Sequence, residues 1–149
     1  MKEHLALLLR YEKWANKKIL DALKELAVPD EKALDIMSHI LLVQMVWYSR
    51  IVNQTAPPVW DKKSLADLFS LHEENYKVLD AWMSKLSETD FSKIIEYKNT
   101  KGEPFKNTIK DILTHVFNHS TYHRGQIVER MKGKLPKMPD SDFIIYFRE

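Results

Sequence analysis

The 149-residue sequence contains no cysteine. That excludes disulfides, cysteine-ligated zinc and a cysteine nucleophile, so any metal must be held by histidine, aspartate or glutamate. Glycine is scarce, with three in the chain, which argues for helices over tight-turned sheets. No apolar run approaches the roughly 20 residues needed to span a bilayer. The stretch MKEHLALLLRYEK has a short apolar run but no small-residue cleavage site, and it continues as an amphipathic pattern. It reads as part of the fold and not as a signal peptide, so a cytoplasmic location is expected. An excess of one charge is also missing: 23 basic residues face 21 acidic ones, for a net charge of +2. Without a basic stripe, neither a nucleic-acid nor a membrane partner is expected.

What remains is a chain that is 44% hydrophobic and 30% charged, suited to one soluble domain over residues 1–149. Four segments carry a helical period. The first runs from about Glu3 to Leu26 and ends at Val28-Pro29-Asp30. The second runs from about Glu31 to Asn53, before the break TAPPVWDKK. The third starts at Ser64, a good N-cap with Asp67 three residues on, and ends near Ser87. The fourth runs from Asn107 or Thr108 to Lys132, with Gly133 as its C-cap. Ile94, Ile95 and Tyr97, the turn Asn99–Gly102 and Phe105 predict a short hairpin before the last helix. The tail PKMPDSDFIIYFRE is expected to pack across the bundle. The fold class is therefore all-α, a four-helix bundle.

The last helix carries His115, His119 and His123 in LTHVFNHSTYHRGQI. Its buried stripe passes through Ile109, Ile112 and Val116, then lands on His119 and His123 before resuming at Ile127. His115 falls at the edge of that stripe. In the second helix, His39 lies between Ile36 and Val43 and also points inward. A buried polar group without a partner costs on the order of 1–3 kcal/mol, and one divalent ion can satisfy three rings together. Histidines at i and i+4 share a helix face, so His119 and His123 with His39 opposite form a candidate site. A satisfied core histidine is the alternative at each position. His4 is expected in solvent. His72 lies close to the third stripe without a histidine partner at helical spacing.

Two metal classes fail on their motifs. A zinc protease needs H-E-x-x-H, and Ser120 stands where its glutamate would be. Di-iron bundles need E-x-x-H pairs, and none occurs. A mononuclear three-histidine site remains.

NHSTYHRGQI and the turn NTKGEPF resemble the DinB (DNA-damage-inducible) family. Tyr11, Trp14, Ala15 and Asn16 look like its Y-x-x-W-A-N. His39, Ile40 and Trp47 through Arg50 resemble its H-[IL]…W-x-x-R, and Asp140 to Tyr146 resembles its closing D-x-D-[FL]-[IL]. The resemblance implies a down-up-up-down bundle, frequently a homodimer. It implies one divalent ion, usually zinc or nickel, on His39, His119 and His123. Relatives in the wider superfamily use low-molecular-weight thiols such as mycothiol or bacillithiol as co-substrates.

Three histidine ligands leave one open position on a tetrahedral ion. A water bound there has its pKa lowered toward about 7, and a thiol is deprotonated. Thiolate attack on a small electrophilic substrate is the first expectation. A hydrolase using metal-activated water, or a non-catalytic metal-stabilised stress-related binding protein, are the alternatives. Gln126, one turn beyond His123, is expected to orient a ligand or substrate. Tyr122 and Arg124 are expected to point elsewhere on the helix. Gly125 costs about 1 kcal/mol in a helix interior relative to Ala, which a close helix contact, as in a dimer, would explain.

Overall fold

The four periodic segments become four helices in the computed structural model, which describes residues 1–99 and 101–148. They are α1 (Lys2–Glu25), α2 (Glu31–Ile51), α3 (Leu65–Ser84) and α4 (Ile109–Met131). Each boundary has a local cause. Asp30 caps α2 by accepting from the Ala33 N–H. Ser64 with Asp67, and Thr108 with Asp111, form reciprocal capping boxes on α3 and α4. Helix α2 stops two residues short of the expected Asn53, which takes a left-handed φ of +56. There the Gln54 N–H donates to the Ser49 carbonyl and closes the helix end. Helix α3 also stops early, because Ser87 instead caps a 3-10 turn over Glu88–Ser92. At the end of α4, Gly133 has φ +73 and the Lys134 N–H bonds back to the Met131 carbonyl.

Contacts between the helices fix their directions. Asp30 meets Arg130 and Trp47 meets His115, so α2 and α4 are antiparallel. Asn75 donates to Gln44, and Tyr48 packs on Trp82 farther along, so α2 and α3 run parallel. Lys2 bonds to the Ser84 carbonyl while Lys17 lies over Phe69, so α1 and α3 are antiparallel. The result is the down-up-up-down order. The parallel pair is possible because residues 52–64 run back along α2 before α3 begins.

Strands β1 (Ile94–Lys98) and β2 (Pro104–Thr108) form the expected antiparallel hairpin, with Tyr97 opposite Phe105. Thr100 of the expected turn lies outside the described residues; Gly102 there has φ +82. The tail does pack on the bundle. The Tyr11 hydroxyl donates to the Ser141 carbonyl (2.8 Å), and Phe143 and Tyr146 set their edges against Tyr11. Among the described residues, no helix is long and apolar enough to cross a membrane.

Two apolar clusters fill the bundle. One gathers Ile19, Leu23, Ile36, Ile40, Leu68 and Ile127; the other gathers Leu5, Leu9, Leu79, Met83, Leu113 and Val116. Between them, along every helix, lies a buried polar layer. Arg124 on α4 donates to Glu12 (2.6 Å) and Asn16 (2.9 Å) on α1. Gln44 on α2 donates to Glu12, and Asn75 on α3 donates to Gln44. Arg124 and Glu12 each retain only 2% exposure. The expectation that Arg124 points away from the histidines is met, but its place is the core of the protein. Burial works against its charge, and the Glu12 carboxylate together with the Tyr11 hydroxyl more than offsets that.

Candidate metal centre

The α4 stripe turns polar at the level of this layer, where α4 passes the antiparallel α2. His119 and His123 lie one above the other, with ring centroids 4.4 Å apart. His39 meets them from α2, at 5.0 Å from His119 and 4.9 Å from His123. One ring nitrogen from each lies within 4.8 Å of the others, close enough for a single ion to touch all three. His39 is buried, while His119 and His123 are partly exposed and open the site to solvent.

Two of the rings have their tautomer fixed from behind. His39 Nδ1–H donates to the Val59 carbonyl (2.7 Å), and His123 Nδ1–H donates to Gln126 Oε1 (2.7 Å). Both acceptors are carbonyl oxygens, so in the neutral rings the Nε2 atoms carry lone pairs. Such outer hydrogen bonds orient metal-ligating imidazoles and raise their basicity. His39 Nε2 and His119 Nε2 lie 3.2 Å apart. Two lone pairs at that distance repel unless a proton or a cation sits between them. Three imidazole nitrogens are a donor set that suits a divalent ion of borderline softness, which would take the place of a proton shared between His39 and His119. His119 Nδ1 is buried without a hydrogen-bond partner.

Burial keeps two of the rings in the form a metal needs. Burial pushes His119 down to about 4, helped by the neighbouring His123, His39 and His115. Burial also lowers His39, against the hydrogen bond to Val59. Neutral imidazole at neutral pH is the ligand form.

The remaining candidates separate. His115 stays outside the three-nitrogen cluster: its ring is 5.6 Å from His119 and 5.4 Å from Trp47. Burial and the Arg50 charge lower its pKa. His72 does point inward, at 3% exposure, but into the polar layer beside Glu12 and Gln44. His4 is exposed. Tyr122 is 67% exposed and sets its ring edge to face against His123, at 5.1 Å. Gln126 orients His123 itself. A Cβ built at Gly125 would meet nothing within 4 Å, so among the described residues no helix packs closely on it.

Trp60 is a site residue that sequence reasoning missed. Its indole stacks on His39 at 3.9 Å and 8°. The Ser38 hydroxyl holds this loop through the Asp61 carbonyl. The only signal was the location of Trp60 inside TAPPVWDKK, a stretch read as a break between helices.

The DinB family model matches residues 1–134. The chain is similar to Protein DinB of Bacillus subtilis (strain 168), at 25% identity over 167 residues, covering 93% of this chain and 91% of that protein. The family match takes in all four helices and every histidine of the cluster, and this chain belongs to the DinB family.

Proposed function

We propose that His39, His119 and His123 hold one divalent ion, zinc or nickel, and that the protein uses it to activate a low-molecular-weight thiol toward a small electrophilic substrate. The observation that carries this reading is the convergence of three ring nitrogens within 4.8 Å, two of them with outer hydrogen bonds that aim Nε2 inward. A bound ion would supply a Lewis acid that deprotonates a thiol at neutral pH. The chain's own groups do the rest. Val59 and Gln126 hold the rings, Trp60 covers one side, and the exposed edge near Tyr122 admits ligands. With no cysteine in the chain, the sulfur must come from a co-substrate.

Activation of water, giving a hydrolase, is less well supported. Among the described residues no carboxylate hydrogen-bonds to a triad ring, and Ser120 is buried with its hydroxyl unpartnered. No carboxylate is thus placed on a triad ring to assist a bound water, while a thiol starts from a lower pKa than water and is deprotonated on a metal more readily. A homodimer in the cytoplasm completes the reading, with the open face at Gly125 as a contact surface.

The test is turnover by tag-free protein loaded with zinc or nickel. Chlorodinitrobenzene and a small thiol are supplied: a carbon–sulfur bond forms, chloride leaves and the thiol proton passes to buffer. Thiol-dependent turnover that His123→Ala abolishes is expected. Ester hydrolysis without thiol would favour the hydrolase. No turnover from fully loaded protein with any thiol and electrophile would leave a metal-stabilised binding protein.

A further inference from the structure

Arg50 lies over two aromatic rings, with its guanidinium carbon 4.4 Å from the Trp47 centroid and 5.1 Å from that of Tyr97. These rings are themselves edge to face, at 5.0 Å. Trp47 also touches His115, and His115 touches His119 of the triad. A row of rings thus joins Arg50 to the metal centre. Its side chain forms no ion pair and no hydrogen bond among the described residues. The acids of the hairpin and of the start of α4 have other partners: Glu96 faces Lys106, Glu103 accepts from Asn99, and Asp111 caps α4. Burial lowers the Arg50 pKa, opposed only by the Tyr97 phenol.

A guanidinium steadied on aromatic faces keeps its in-plane N–H donors in the fork geometry that matches a carboxylate. Solvating water satisfies these donors without using that geometry. We propose that Arg50 is the anchor for a carboxylate carried by the small molecule whose reactive end lies at His39, His119 and His123. This inference rests on the metal reading above and adds the charge class of the ligand. Arg50 is three turns beyond His39 on α2, about 16 Å along the axis, and its side chain leans back toward the amino terminus. A ligand that reaches both ends is therefore about 10 Å long, roughly a six-carbon chain.

The test compares 6-mercaptohexanoate with its neutral twin 6-mercaptohexanol on zinc-loaded protein, with hexanoate as a carboxylate lacking the thiol. Binding is followed through the Arg50 Nε–Hε and Trp47 indole resonances. The mercapto acid should bind at least about tenfold tighter than the alcohol, as expected for a charge-assisted bond. Arg50→Met should abolish the preference, and Arg50→Lys, which keeps the charge but not the fork, should retain only part of it. Equal affinities in the unaltered protein, or a preference that survives in Arg50→Met, would overturn the proposal. The surviving preference would mean that the carboxylate sits on the metal. Zinc uptake is measured in parallel and should be the same for Arg50→Met. If the unaltered protein takes up no zinc, the metal reading fails by itself. The hexanoate titration of metal-free protein then decides the anchor: a saturable shift of the Arg50 resonance supports it, and no shift overturns it. If hexanoate and the mercapto acid move Arg50 alike, either the thiol or the electrophile can carry the carboxylate.

Discussion

Three imidazoles on two helices are held in different ways. His39 and His123 each have a fixed tautomer; His119 has no partner at Nδ1 and a pKa pushed down to about 4. Gln126 can be tested without touching a ligand. Gln126→Leu keeps the helix and removes the hydrogen bond behind His123. Zinc affinity should fall about ten- to hundredfold, measured by competition with a chromophoric chelator. An unchanged affinity would show that the side chain does not orient the ring. The inward histidines were legible because they interrupt an apolar stripe at a spacing of four. His115 was separable by the 40° drift that each i+4 step makes against a 3.6-residue turn. Arg124 was not legible. A charged residue reads as solvated unless its partner is known, and Glu12 is 112 residues away. The nearest hint was Y-x-x-W-A-N, since Tyr11 and Asn16 of that motif are both partners of Arg124.

Helix ends carry the next level of organisation, and Asp30 shows how. One carboxylate caps α2, accepts from Arg130 near the end of α4 and accepts from Lys134 beyond it. The Arg130 bond, then the Lys134 bond, hold its pKa well below the ordinary carboxylate range, against burial. Because the folded-state pKa is the lower one, the contribution is complete above about pH 4 and shrinks as pH falls below that. Asp30→Asn keeps a capping oxygen and removes the charge. It should cost about 1 kcal/mol at pH 7, because both partners are largely exposed. In urea denaturation the gap between the two proteins should close toward pH 2. A gap that stays constant across that range would assign the effect to the cap and not to the charge. Caps and hairpin were readable from Ser64, Thr108 and the β-branched run at Ile94 because their causes are local. The stop at Ile51 was not, since Asn53 in a left-handed conformation replaced a continued helix.

Across the whole molecule, two apolar clusters enclose a polar layer that contacts all four helices, and the metal centre lies at the edge of that layer. Losing one partner of a buried pair such as Glu12–Arg124 costs about 3–5 kcal/mol, so this layer fixes the register of α1 against α4. The same register, with α2 antiparallel to α4, brings His39 to histidines eighty and eighty-four residues away. Helix count and bundle class follow from periodicity. The parallel pairing of α2 and α3 does not, because it depends on residues 52–64 folding back along α2. That same segment supplies Val59 and Trp60 to the site, and they were invisible for the same reason. The central claim is that one ion bridges α2 and α4 through three histidines. The most direct test is elemental analysis of protein purified without a histidine tag, beside His39→Ala. About one equivalent of zinc or nickel is predicted for the unaltered chain, with most of it lost in His39→Ala. Less than about half an equivalent, unchanged by the substitution, would contradict the account.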